Sequence, residues 1–101
     1  MLGECVKGVR DSKAQGIEIY VDCGIRTGDD VLKCLAIGAT CVFVGRGIIF
    51  ANACEGLRGI EKYLDMLRKE FTQSMQIVGA KSVKDLNENH LIKSTIPKPN
   101  L

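Results

Sequence analysis

Two short segments of this chain hold residue types that together could grip an anion. Asp22, Cys23, Gly24, Ile25 and Arg26 follow the β-branched, aromatic run Ile17-Glu18-Ile19-Tyr20-Val21. Gly45 and Arg46 follow a second apolar run, Cys41-Val42-Phe43-Val44. Gly24 and Gly45 let backbone amides approach an anion closely, because no Cβ intervenes. Arg26 and Arg46 could close on it with forked, charge-assisted hydrogen bonds. A helix starting near Thr27 would aim free amides and its positive dipole end the same way. This is the donor set a phosphate monoester needs, and Asp22 could accept hydrogen bonds from sugar-like hydroxyls beside it.

Taken singly, these residues are ordinary. A lone arginine is usually a surface residue, a glycine at a strand end is common punctuation, and Asp22 alone could be a loop cap. Their conjunction at two strand ends is what points to a site. No general base accompanies them. His90 is the one histidine in the chain, it lies far from both segments in sequence, and it reads as a solvated surface residue. No Ser/His/Asp or Cys/His arrangement can be assembled, so no catalytic residue is assigned.

The elements that must position these loops follow from periodicity. Leu2, Val6 and Val9 predict a helix over residues 2–14, stopped near Gly16. Residues 17–21 predict a strand. Thr27 and Asp30 have capping-box spacing, and Val31 with Leu35 and Leu32 with Ala36 form i,i+4 pairs in the helix that follows, ended by Gly38. Residues 41–44 form an apolar run suited to a strand buried on both faces. Residues 48–53 predict one short helical turn. Leu57, Ile60, Leu64, Leu67, Phe71, Met75 and Val78 step by three or four, predicting a long amphipathic helix closed by Gly79, with Lys62, Arg68, Lys69 and Gln73 on its solvent side. Ser82 and Asp85 suggest a second capping box opening a helix to about residue 89. The tail, residues 92–101, with Pro97 and Pro99, is expected to be extended or disordered.

Strands alternating with helices imply parallel βαβ units, whose ligands bind at strand C-termini. A complete (β/α)8 barrel needs about 200 residues, so this chain of 101 residues reads as a portion of a larger α/β barrel. The formal charge of +2, from 14 basic and 12 acidic residues without a basic block, does not point to nucleic acid or an anionic membrane. No apolar run approaches the roughly 18 residues of a membrane span. The expectation is a soluble intracellular chain. Cys5, Cys23, Cys34, Cys41 and Cys54 are odd in number and lack C-x-x-C spacing, which argues against a disulfide framework or a zinc site. They are expected to be small buried hydrophobes.

The stretch from Val21 to Ala39, followed by Val42-Phe43-Val44-Gly45-Arg46, resembles the C-terminal signature of FMN-dependent 2-hydroxy-acid oxidases and dehydrogenases, the glycolate oxidase-like family. The likeness continues from Gly59 to Leu86, through Leu67-Arg68-Lys69-Glu70-Phe71, Met75, Gly79 and Ser82-Val83-Lys84-Asp85-Leu86. It implies the seventh and eighth strands of a TIM barrel with their helices, over residues 1–91. It also implies FMN as cofactor, with the ribityl-phosphate part contacted by Asp22, Gly24, Arg26, Gly45 and Arg46, and the backbone of Cys23 and Ile25 lining the same site. The family usually has Gly where this chain has Cys23, a substitution that costs about 1–2 kcal/mol if the turn is left-handed.

The resemblance further implies oxidation of small (S)-2-hydroxy acids to 2-oxo acids, homo-oligomers in the full-length enzyme, and a peroxisomal location with the cytoplasm as second choice. The chain ends Pro99-Asn100-Leu101, keeping the leucine of a Ser-Lys-Leu signal but not its basic residue. The family's catalytic histidine and substrate-binding arginine lie on a segment that these residues do not include, so the chain alone is expected to be inactive. Two alternatives stand beside this reading. One is a non-catalytic fragment that binds phosphate or flavin or docks on other barrels. The other is a piece of a different phosphate-binding barrel, such as an IMP dehydrogenase or a type 2 isopentenyl-diphosphate isomerase.

Overall fold

The structure, a computed structural model, describes residues 1–93; the tail expected to be disordered lies outside the described residues from position 94 onward. The order is α1 (Leu2–Asp11), β1 (Tyr20–Val21), α2 (Gly28–Ile37), β2 (Cys41–Val42), α3 (Arg46–Glu55) and α4 (Leu57–Val78), followed by two 3₁₀ turns at Val83–Asp85 and Glu88–His90. β1 and β2 pair in parallel, with Tyr20 opposite Cys41 and Val21 opposite Val42. The crossover through α2 makes this a βαβ unit, and the fold is a partial α/β barrel.

Both strands are shorter than their sequence predicts. Beyond the two paired residues, the ladder continues only as single bonds: the Thr40 amide donates to the Ile19 carbonyl at 2.7 Å and the Phe43 amide to the Val21 carbonyl at 2.8 Å. Among the described residues each strand has one neighbour, which leaves its other edge unpaired. The expected burial on both faces of residues 41–44 is not seen either. Phe43 is 51% exposed and Tyr20 58% exposed, and their rings meet edge to face with centroids 5.7 Å apart. The apolar sequence is that of a strand enclosed in a barrel, but the surfaces that would enclose it are not among the described residues.

The core lies on the other side of the sheet, where Val6, Leu32, Ala36, Ala39 and Met75 are buried. α4 is its backbone, packing against both α2 and α3. Two buried glycines permit this. A Cβ on Gly28 would run into the backbone of Glu70 and Phe71, and one on Gly59 into the Ala51 carbonyl. The α2–α4 contact is also hydrogen-bonded. The Gly28 amide donates to Glu70 Oε2 at 2.7 Å, and the Ser74 hydroxyl donates to Asp29 Oδ1. Gly79 ends α4 in the left-handed conformation, as its place after the last apolar step predicts.

Other expectations need correction. The segment expected to form one helical turn is the ten-residue helix α3. Residues 82–89 form no α-helix: the Ser82 hydroxyl donates to the Asp85 carboxylate at 3.1 Å and does not accept from the Asp85 amide, leaving only a short 3₁₀ turn. Asn87 caps the second turn, accepting from the Asn89 amide at 2.9 Å. His90 is half-buried, not fully solvated, and its Nδ1 accepts from the Asn87 amide at 3.2 Å. No cysteine is fully buried: Cys5, Cys23 and Cys54 are exposed and Cys34 and Cys41 half-buried. Burial nonetheless pushes the Cys34 thiol pKa up, reinforced by the charge of Asp30. Along α4 the stripe is apolar throughout, yet Leu57 is 70% and Leu64 50% exposed.

Replacing Gly28 by Ala should force α2 away from α4 and lower stability by about 1–3 kcal/mol, the usual range for overpacking. Urea unfolding of the two chains measures this; an unchanged midpoint would show that the close approach is not a constraint.

Candidate functional site

The C-terminal ends of β1 and β2 open onto one cavity of about 680 Å³, within the range of small-ligand sites. Its wall brings together all seven residues picked from the sequence: Asp22, Cys23, Gly24, Ile25 and Arg26 from the first loop, and Gly45 and Arg46 from the second. The parallel register holds these loops side by side, since Val21 pairs with Val42 and the Phe43 amide reaches back to Val21. Ile25 is half-buried, whereas Asp22, Cys23, Gly24, Arg26, Gly45 and Arg46 are exposed to the opening. Neither Arg26 nor Arg46 has an acidic partner within ion-pair distance among the described residues.

The helix that offers its N-terminus is not the one expected. At α2 the capping box forms as predicted: the Asp30 amide donates to Thr27 Oγ1 at 3.3 Å, and Asp30 Oδ2 accepts from the Thr27 amide at 3.2 Å. The same carboxylate oxygen also accepts from the Arg26 amide at 3.1 Å, and Glu70 takes the Gly28 amide. The amides that were expected to face an incoming anion are therefore engaged by the protein's own carboxylates. α3 differs. It begins at Arg46 immediately after the second loop, and Gly45 as its N-cap supplies no side-chain hydrogen bond. The first amides of a helix have no intrahelical acceptor, and here the residues bearing them, Arg46 and Gly47, line the cavity. The positive end of the α3 dipole faces the cavity that Arg26 and Arg46 also line. Donors of this kind fit a phosphate monoester.

Asp30 is the electrostatic anchor of the first loop. Partial burial pulls its carboxyl pKa up, but the amides of Arg26 and Thr27, the Thr27 hydroxyl and the charge of Lys33 outweigh that and hold it below the usual carboxylate value. The loop itself turns through two consecutive left-handed residues, Cys23 at φ 69° and Gly24 at φ 73°. Gly24 adopts that conformation freely. Cys23 does not, because its Cβ crowds the neighbouring carbonyl.

Five further residues line the cavity that sequence reasoning did not select: Phe43, Val44, Gly47, Phe50 and Tyr63. Phe43 and Val44 were assigned to a buried strand, and Phe50 to a single turn. Tyr63 falls on the apolar side of α4, three residues after Ile60 and four before Leu67. Its polar tip in that stripe was the available signal.

A family model described as FMN-dependent dehydrogenase matches residues 1–93 of the chain. Human 2-hydroxyacid oxidase 2 is 49% identical over 73 residues, which cover 72% of this chain and 21% of that protein. Glycolate oxidase of Spinacia oleracea is 44% identical over 79 residues, covering 77% of this chain and 21% of that one. Among solved structures, the recombinant flavin-binding domain of baker's yeast flavocytochrome b2 superimposes with a TM-score of 0.86 at 33% identity, over 97% of this chain and 27% of that chain. The chain thus spans about a fifth of the length of the curated relatives it matches.

Two outcomes are expected from the loop geometry. Cys23→Gly should relieve the left-handed strain and raise stability by about 1 kcal/mol, seen as a higher urea midpoint. The depressed Asp30 carboxyl contributes stability above its unfolded value of about pH 3.9 and loses it as pH falls through the folded value. Asp30→Asn should therefore lower the melting temperature near neutrality and flatten its decline below about pH 4. Melts between pH 7 and pH 2 that run parallel for the two chains would contradict this.

Proposed function

The chain belongs to the FMN-dependent dehydrogenase family, and from that membership we propose that it forms the phosphate-binding end of a flavin site in an oxidoreductase converting (S)-2-hydroxy acids to 2-oxo acids. The observation that carries this reading is the convergence of Arg26, Arg46 and the uncapped N-terminus of α3 on one cavity at the ends of two parallel strands. In the proposed arrangement the two guanidinium groups fork onto the phosphate, and the amides of Gly45 and Arg46 approach it from the helix. Asp22 accepts hydrogen bonds from ribityl hydroxyls. The backbone of Cys23, Gly24 and Ile25 lines the ribityl side, with the Cys23 side chain the one group that crowds it. FMN, when bound, supplies the electron acceptor of the family's chemistry.

No histidine lines the cavity. Its titratable side chains are Asp22, Cys23, the two arginines and Tyr63, and none is paired with a base. The chain by itself is accordingly proposed to bind, not to oxidise. In this reading residues 1–91 are the C-terminal part of a TIM barrel, and the catalytic groups, the homo-oligomeric assembly and the small hydroxy-acid substrate belong to the longer family architecture. A peroxisomal location, with the cytoplasm as alternative, rests on the same family likeness. Among the barrels that bind phosphate, the named relatives favour hydroxy-acid oxidation over the IMP dehydrogenase or isopentenyl-diphosphate isomerase alternative.

Titration of the chain with FMN and with riboflavin, followed by flavin fluorescence, tests the reading. FMN should bind and riboflavin, which lacks the phosphate, should bind far more weakly. Arg46→Ala should weaken FMN by about 10- to 100-fold, the worth of a hydrogen bond to a charged group. Equal affinity for the two flavins would overturn the assignment. Oxidation of glycolate or lactate by the chain alone would overturn the proposed inactivity.

A further inference from the structure

Tyr63 falls within the span of the family likeness but is not one of the residues that carried it, and it lines the cavity. It reaches there from α4 because of an absence on α3. A side chain at position 47 would collide with the Tyr63 Oη, Cζ and Cε1 atoms, so the phenol fills the space that only a glycine leaves empty. Gly47 is the second residue of α3. The phenol is therefore held against the first turn of the helix whose free amides face the cavity. Tyr63 is half-buried, and its hydroxyl makes no hydrogen bond to any of the described residues. The other tyrosine of the chain, Tyr20, contrasts with it: its hydroxyl is engaged by Glu18.

An O–H donor beside a helix N-terminus, with no acceptor among the described residues, suits an acceptor supplied from outside. We infer that Tyr63 is a further phosphate ligand, its hydroxyl donating to an oxygen of the anion that Arg46 and the α3 amides hold, and that Gly47 is required to admit it. The inference rests on the phosphate-site reading above and deepens it. Arg26 and Arg46 supply charge from the loops, and the phenol adds a directional donor from α4. The stem of the anion site is thereby tied to all three of its neighbouring elements.

The test uses the full chain with FMN, riboflavin and inorganic phosphate as probes, comparing Tyr63→Phe and Arg46→Ala with the parent. Tyr63→Phe keeps the ring and its packing. It should weaken FMN and inorganic phosphate by about tenfold, at the low end for a hydrogen bond to a charged acceptor, while leaving the weak riboflavin affinity unchanged. As a second measurement, Tyr20→Phe leaves Tyr63 the sole tyrosine in a chain without tryptophan. Its emission should then be quenched saturably by inorganic phosphate, which accepts the phenolic proton. If Tyr63→Phe binds FMN like the parent while Arg46→Ala loses it, the role of Tyr63 is overturned and the site reading stands. If Tyr63→Phe weakens FMN and riboflavin equally, Tyr63 only packs α3 on α4, and the inference fails. If Arg46→Ala also binds FMN like the parent, the site reading fails and takes the Tyr63 inference with it.

Discussion

The architecture depends on how closely α4 can lie against α2. Gly28 gives up its side chain so that the Phe71 backbone can come into contact, and the Glu70 carboxylate then takes the Gly28 amide. This contact places the start of α2, and hence the loop from Asp22 to Arg26, at a set distance from α4. The same helix, twelve residues before Phe71, sets α3 through the close approach of Gly59 to Ala51. Both loops of the cavity are thus referred to one rigid rod of 22 residues. Two strands paired over only two residues could not hold them alone.

That geometry also divides the electrostatic labour between two helix N-termini. α2 is satisfied from within: Asp30 and Glu70 supply negative charge to its amides, and Asp30 extends its hold to the Arg26 amide in the loop. Its dipole stabilises the fold and orients Arg26 without being spent on a ligand. α3 has no acidic residue in its first turn and no side-chain cap. Its positive end remains available beside Arg46. One helix N-terminus is thus closed by internal carboxylates and the other left open.

The exposed apolar surface is the counterpart of this arrangement. Ile17, Tyr20, Phe43, Ile49 and Phe50 are each more than half exposed. Of these, Tyr20 on β1 and Phe43 just after β2 meet edge to face. The chain spans about a fifth of its relatives' length, and these residues lie on β1 and α3, just before β1 and just after β2. The left-handed Cys23 adds a local departure, a strained side chain in the turn that faces the cavity.

Local patterns were legible in the residues themselves. The 3.6-residue period of α4, the Thr27–Asp30 box, the stops at Gly38 and Gly79 and the order of strands and helices are properties of neighbouring residues, and short-range sterics and hydrogen bonding decide them. So was the conjunction of glycines and arginines after two apolar runs. Tertiary structure decided what depends on distant partners. It shortened the strands, because a ladder needs a second chain segment for every bond. It left the cysteines and aromatics uncovered, because burial depends on what lies opposite. It closed the N-terminus of α2 with Glu70, 42 residues away, and opened that of α3. It brought Tyr63 to the cavity through the space at Gly47, a fit between two helices that no spacing along the chain encodes.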